Sequence, residues 1–243
     1  VTLVQAPRRF VILSGSRSGT SLLSETLNVH PEILCHGELF HPTPASHIKR
    51  QEGDLSVEEA VALRDRDPIG YLDWALTRPG VAAAGFKMWR SQQDAVCDRL
   101  LADEATLKII YERENVLARF SSSRLVKATG IYNINSERAR PGKLNTLVDF
   151  NRKAFLGYFD AHRALFAGYR ARARGPVLDL TYRDVIETGF SRVLAFLGVA
   201  EQALPPQKQR LHSNEILSRF AEADRDAIRK TLAEIGHPEW VSE

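Results

Sequence analysis

The sequence predicts an α/β fold: a single P-loop-like domain over residues 1–243, built on a parallel β-sheet with helices on both faces. Three observations carry this expectation. Short apolar runs rich in β-formers alternate with segments of helical periodicity, which is the pattern of βαβ units. The first such run leads through a Gly/Ser/Thr-rich turn into a helix, the order of a phosphate-cradling unit. A chain of 243 residues, 44% hydrophobic and 26% charged, has the balance of one ordinary globular domain with room for a substantial core. It shows neither an internal repeat nor a Gly/Ser linker.

Phe10-Val11-Ile12-Leu13 reads as the first strand, a buried one. The loop from Ser14 to Ser21 follows, and Leu22, Leu23 and Leu27 open a helix that ends near Asn28 and His30-Pro31. Ile33-Leu34-Cys35 is a second short strand leading into His36-Gly37-Glu38-Leu39-Phe40, and 41–53 is a polar loop. Ser56 with Glu59 forms a capping box for a helix to about Arg66, and Ile69 to Leu76 carries another. Ala82 to Met88 is a third strand, with a helix after it from about Gln92 to Leu101. Leu107 to Tyr111 is the fourth, running through Glu112-Arg113-Glu114-Asn115 into a long helix to about Thr129. Residues 130–146, with Pro141-Gly142, read as loop, and Leu147 to Tyr169 as helix through Phe150, Ala154, Tyr158 and Phe159. Val177 to Leu180 is the fifth strand, Val193 to Leu197 lies in the next helix, and the tail from Asn214 to Ile235 reads as helical.

Composition excludes several classes. Lys+Arg 33 less Asp+Glu 30 gives +3, too little to predict nucleic-acid binding from bulk charge, though a local anion site remains compatible. No segment reaches the ~18–20 uninterrupted apolar residues of a membrane span. No signal-peptide core follows Val1 to Arg9, so none is expected. Cys35 and Cys97 cannot build a disulfide framework, and no Cys/His spacing fits zinc; a reducing cytoplasm suits this usage.

The informative segment is Ser14-Gly15-Ser16-Arg17-Ser18-Gly19-Thr20-Ser21. Small residues let backbone N–H groups converge on an anion, and a helix N-terminus adds partial positive charge. The spacing departs from GxxxxGK[ST]: Gly15 and Gly19 are the glycines, no Lys precedes Thr20, and the only cation is Arg17. No downstream strand plainly ends in a Mg²⁺-holding Asp. A kinase or nucleotide hydrolase therefore loses most of its support, and the open readings are an anion-binding loop or a tight structural turn. A non-catalytic nucleotide-binding module stands as the alternative outside enzymes.

Arg17-Ser18-Gly19-Thr20 after an apolar strand resembles the sulfotransferases that use 3′-phosphoadenosine 5′-phosphosulfate (PAPS), in which this loop holds the 5′-phosphosulfate. Cytosolic members usually carry Lys-Ser-Gly-Thr there, and bacterial carbohydrate members commonly carry Arg-Ser-Gly-Thr, as here. The resemblance implies that Ser16, Arg17, Ser18, Gly19, Thr20 and Ser21 bind this co-substrate. The family's second signature is an Arg at a strand end with a Ser eight residues on, both on the 3′-phosphate; Arg113 and Ser121 have that spacing. An Arg fork suits a phosphate. Tyr182 in Leu180-Thr181-Tyr182-Arg183-Asp184-Val185, with Phe196-Leu197-Gly198-Val199 later, is similar to the family's Tyr-Glu-Asp-Leu and Phe-Leu-Gly-Val segments. That implies a contact near the adenine; a tyrosine wedged at a strand–helix junction is the competing reading.

Two further residues read as catalytic. Glu38 lies just past the second strand, at the carboxyl edge where open α/β sheets bind ligands. The trehalose- and Nod-factor-type bacterial sulfotransferases have a similar Gly-Glu before hydrophobic residues, and their glutamate is the proposed general base. A carboxylate suits removal of a sugar hydroxyl's proton; the bland reading is a surface or capping glutamate. Lys87 sits where cytosolic members have Lys-x-His, but Trp89 replaces that histidine, which favours the glutamate-based type. Lys87, with Arg17, fits charge stabilisation on the transferring group; a snorkelling strand-end lysine is its alternative. Lys208-Gln209, Asn214-Glu215 and Arg219-Phe220 resemble a tail pattern of the trehalose-type enzymes, which implies that Lys208 approaches the 3′-phosphate.

The resemblance covers about Phe10 to Phe220. It implies sulfuryl transfer to a hydroxyl of a carbohydrate or glycolipid, without a metal, in a cytoplasmic bacterial-type enzyme that forms a homodimer. His36, His41, His47 and His212 read as loop histidines, with His36 or His41 the ones near an acceptor. Loops 39–55 and 130–146 are the acceptor-facing segments, and Arg138 to Lys143 is a solvated basic stretch or a lid on an anionic acceptor. Cys35 and Cys97 read as small buried residues.

Overall fold

The structure is a computed structural model that describes residues 6–42, 47–51, 53–131, 146–207 and 214–243. Arg138 to Lys143, Lys208 and His212 lie outside the described residues. The chain divides into two compact units, one of Val1–Glu112 with Phe166–Lys208 and one of Arg113–Leu165 with Gln209–Glu243.

The first unit is built on a five-stranded, all-parallel sheet. Its strands are β1 (Arg8–Leu13), β2 (Ile33–His36), β3 (Ala83–Met88), β4 (Leu107–Glu112) and β5 (Val177–Thr181), in the order β2-β3-β1-β4-β5. Phe10 to Leu13 are completely buried, as a central parallel strand requires. Phe10, Ile12, Ile109 and Tyr111 share a core with Leu23 and Leu27 of helix α1 (Thr20–Leu27) and with Val193, Leu194 and Leu197 of the helix Ser191–Leu197. Val11, Leu13 and Ile110 point to the opposite face and are equally buried, so helices cover both faces. Gly85 of β3 sits opposite Phe10, where a Cβ would lie 2.4 Å from the Phe10 carbonyl oxygen; only glycine lets the two strands close there.

Most local signals act as expected. The Ser56–Glu59 capping box opens the helix Val57–Arg66, and Asp67 caps Pro68–Leu76. The segment after β3 begins with a 3₁₀ turn, Arg90–Gln92, before the helix Asp94–Ala102.

In the second unit, Asn115 caps the helix Val116–Thr129 through Ala118 N, and Gly130 ends it in the left-handed conformation. The next helix runs Arg152–Arg172 and so starts five residues later than its periodicity predicts. Asn151 accepts from Ala154 N at 2.8 Å in the manner of an N-cap, and Val148 is instead bridged to Phe220. The tail departs further from expectation. In place of one helix over 214–235 there are 3₁₀ turns at Ile216–Arg219 and Glu222–Asp224, then a helix at Arg225–Glu234. Bridges from Glu215 to Ser242 and from Val148 to Phe220 pull the first part out of helical geometry, and the Asp224 carboxylate accepts from Phe150 N. Tertiary pairing overrides local periodicity here. Val116, Phe120, Phe155, Phe220 and Trp240 form this unit's core.

The expectation of His36 as a loop residue is corrected. It ends β2, is fully buried, accepts from Lys49 N at Nδ1 (3.0 Å) and faces the Ala75 carbonyl with Nε2 (2.9 Å). That pairing assigns the proton to Nε2. Burial lowers its pKa from 6.5 to about 4, against the opposing pull of the Ala75 carbonyl. The unfolded chain takes up the proton near pH 6.5 and the folded chain only near pH 4. Stability from this residue is therefore complete above 6.5 and lost as pH falls toward 4. Urea unfolding at pH 7 and pH 4.5 is expected to differ by up to about 3 kcal/mol from this group, and His36→Gln to flatten that slope.

Candidate functional site

Both units hold residues that the sequence singles out. In the first unit, the carboxyl ends of β1, β2 and β3 bring three segments together. Ser14 N–H donates to Met88 O (3.2 Å) and Ser14 Oγ to Tyr111 O (2.5 Å), which ties the start of the loop between the neighbouring strands. Arg17 adopts φ +63°, the only positive φ among the described non-glycine residues, and Gly19 follows at φ +81°. Two left-handed residues so close together turn the chain sharply into α1, whose N-terminus has no side-chain cap. Gly19 must be glycine for a second reason: a Cβ there would lie 2.7 Å from the Tyr182 ring. Tyr182 is thus buried against the loop backbone, at the strand–helix junction that begins Tyr182–Thr188.

Within the loop, Ser16 is exposed, Arg17 and Gly19 are half-buried, and Ser18 and Thr20 are buried. Ser18 Oγ is buried without a hydrogen-bond partner. Such a group costs about 1–3 kcal/mol unless something completes it. A hydroxyl of this kind in the middle of a Gly/Ser loop at a helix N-terminus fits the oxygen of a bound phosphate or sulfate.

Beside the loop, Glu38 and Lys87 meet. Lys87 Nζ donates to Ser21 Oγ at 2.8 Å and lies 3.7 Å from Glu38 Oε1. Both side chains are nearly out of solvent, at 7% exposure for Lys87 and 11% for Glu38, which excludes the surface-glutamate and snorkelling-lysine readings. Burial lowers the pKa of Lys87, and the Glu38 charge opposes that shift. The other Glu38 oxygen, Oε2, accepts from Gln92 Nε2 at 2.8 Å.

His47 is also brought toward Glu38. Its carbonyl accepts from Gly37 N (2.6 Å), and its ring lies 4.9 Å from that of His41. Burial lowers the His47 pKa, with the Glu38 charge opposing and His41 and Lys87 adding to the shift. Tyr169 joins the same neighbourhood: its hydroxyl donates to Ser14 O (3.0 Å) and accepts from Arg90 N (2.9 Å). Gln92, His47 and Tyr169 were not singled out as site residues from sequence. Each is a polar residue in an ordinary local setting, and only the fold brings it to Glu38 or the loop.

In the second unit, Arg113 grips the Glu243 carboxylate with Nε (2.9 Å) and Nη2, and both side chains are largely buried. Ser121 Oγ donates to Ala118 O (3.0 Å) and accepts from Arg219 Nη1 (3.1 Å). The tail is fastened by Asn115 Nδ2 to the carbonyls of Trp240 and Ser242, and by Glu243 N to Asn214 O. Glu243 as the Arg113 partner is absent from the sequence reading, in which no local pattern joins two residues 130 positions apart. Among the described residues no cluster of three or more His, Cys, Asp or Glu fits a metal ion, and no helix is long and apolar enough to cross a membrane.

No protein-family model matches the chain, and no curated protein matches it. Solved structures do. A sulfotransferase from Alicyclobacillus acidocaldarius aligns with a TM-score of 0.50 and 18% identity over 98% of this chain and 99% of that one. A mouse sulfotransferase, SULT7A1, complexed with PAP has a TM-score of 0.46 and 13% identity, covering 93% of this chain and 83% of that one. A retinol dehydratase in complex with retinol and PAP has a TM-score of 0.44 and 14% identity over 95% and 81%. The first of these likenesses shows the fold class: this chain has the parallel-sheet, P-loop-like α/β fold seen in that sulfotransferase.

Proposed function

We propose that this chain, residues 1–243 as one functional domain, is a sulfotransferase that moves a sulfuryl group from PAPS to a hydroxyl of a carbohydrate or glycolipid. The observation that carries the reading is the chain of contacts from Gln92 through Glu38 and Lys87 to Ser21, set beside a loop whose Ser18 hydroxyl lacks a partner. A carboxylate held next to an ammonium, at the mouth of an anion-cradling loop, provides a base and a charge-stabilising group side by side. The sequence resemblance and the sulfotransferase fold support the same assignment.

The bound nucleotide supplies the sulfuryl group and a phosphate as its leaving group. Ser16 to Ser21 hold that end, with Ser18 Oγ completing its hydrogen bonding there. Glu38 takes the proton from the acceptor hydroxyl as that oxygen attacks sulfur. Lys87 and Arg17 meet the charge that develops on the transferring and leaving oxygens, in a setting where fixed cations act more strongly than in water. Arg113 and Ser121, with Lys208, take the 3′-phosphate, and Tyr182 supports the loop on its adenine side. Because fixed cations and N–H groups meet the charge, the scheme needs no metal.

Calorimetric titration without metal, comparing adenosine 3′,5′-bisphosphate with ADP and with ATP in the presence and absence of Mg²⁺, tests the reading. A clear preference for the bisphosphate is expected. Preference for ATP with Mg²⁺ overturns it in favour of phosphoryl transfer.

A further inference from the structure

We propose that Gln92 is a positioning residue for Glu38: it fixes the rotamer of that carboxylate, leaving Oε1 turned toward Lys87. The inference rests on the sulfuryl-transfer reading only for the purpose of the base; the hold itself stands on geometry. Gln92 is anchored at both ends of its amide. Its Oε1 accepts from Trp89 N at 3.2 Å, and its Nε2 donates to Glu38 Oε2 at 2.8 Å.

The first contact decides the orientation of the second. A backbone N–H can only donate, so the amide oxygen must face Trp89 and the NH₂ must face Glu38. An NH₂ can only donate, so Oε2 is held as an acceptor in this contact. The arrangement also divides the two Glu38 oxygens. Oε2 is held by Gln92, while Oε1 faces Lys87 Nζ across 3.7 Å, longer than a hydrogen bond. Oε1 is therefore the oxygen placed to receive a proton.

Sequence position conceals this role. Gln92 sits in a short 3₁₀ turn after β3, where a polar residue ordinarily faces water. Here the turn aims it back across the carboxyl end of the sheet. Among the described residues, Lys87 from β3 and His47 from the segment after β2 also face Glu38, and Gln92 can be changed without altering either side chain.

The test follows the Glu38 carboxyl directly, in full-length protein labelled with ¹³C-glutamate, with the Glu38 signal assigned by its absence in Glu38→Gln. Gln92→Met keeps the side-chain volume and removes the donor. At pH 7 its Glu38 Cδ signal is expected to move and broaden, because Oε2 has lost its donor and the carboxylate samples more than one rotamer. Gln92→Glu, of nearly identical shape, also removes the amide donor and is expected to move the same signal; it guards against a packing defect in the Met variant. A Glu38 signal unchanged in both variants overturns the proposal. A moved signal in a protein that fails the bisphosphate titration keeps Gln92 as the residue that orients Glu38 and overturns the sulfuryl-transfer reading instead.

Discussion

Glu38→Gln is expected to lower sulfuryl transfer by about 10²–10⁴-fold, the usual range for losing a positioned general base, while affinity for adenosine 3′,5′-bisphosphate stays unchanged. The substitution keeps the size and the acceptor for Gln92, and removes the carboxylate charge beside Lys87 and with it the ability to accept a proton at physiological pH. Glu38 touches Gln92 and faces Lys87, and no described contact ties it to the Ser16–Ser21 loop except through Lys87. Binding and chemistry should therefore separate in this variant. The measurement is an acceptor screen with labelled sulfate donor, run beside bisphosphate calorimetry. Full turnover in the variant would remove Glu38 from the chemistry, and lost binding would assign it to the nucleotide.

Arg113→Ala is expected to weaken bisphosphate binding by about a hundredfold, near 2.8 kcal/mol on the affinity scale. Glu243→Gln is expected to strengthen it. The opposite signs follow from one contact. Arg113 already holds the Glu243 carboxylate with two donors, so a 3′-phosphate must compete with a carboxylate for the same guanidinium fork. Removing the arginine deletes the site and strands a carboxylate that is only 10% exposed, which also lowers the melting temperature. Removing the Glu243 charge weakens the competitor and leaves the fork intact. Calorimetry on both variants reads the signs, and unchanged affinity in Arg113→Ala would exclude this arginine from nucleotide recognition.

The fold was legible wherever one physical signal dominated. β1, β3 and β4 are buried parallel strands, and such strands write themselves as unbroken apolar runs. The Ser56–Glu59 box is local, so sequence reveals it. The 214–235 tail was misread because Ile216, Leu217 and Phe220 are spaced as a helix would space them, whereas bridges to Ser242 and Val148 decide their conformation. The site divides in the same way. Glu38 and Lys87 stand out because they interrupt apolar strand ends, and the loop because its glycines and serines cluster. Gln92 and His47 carry no such mark; they reach Glu38 only once β2 and β3 are paired in register. Glu243 reaches Arg113 only when the tail folds back on Asn115.

The Tyr169 phenol holds Ser14 O with its proton and takes the Arg90 amide on its lone pair. It is out of water, and burial pushes its pKa up, so it stays a neutral hydroxyl able to make both bonds at once. Ser14 opens the Gly/Ser loop before α1, and Arg90 lies two residues before Gln92. One oxygen atom therefore acts as a hinge pin between the start of the Gly/Ser loop and the turn that carries Gln92 to Glu38. Loop breathing that lifts Ser14 must either drag the Arg90 turn with it or break a buried bond. In the proposed sulfotransferase, a displacement of the Ser14 loop is thereby passed through Tyr169 to the turn that holds Glu38.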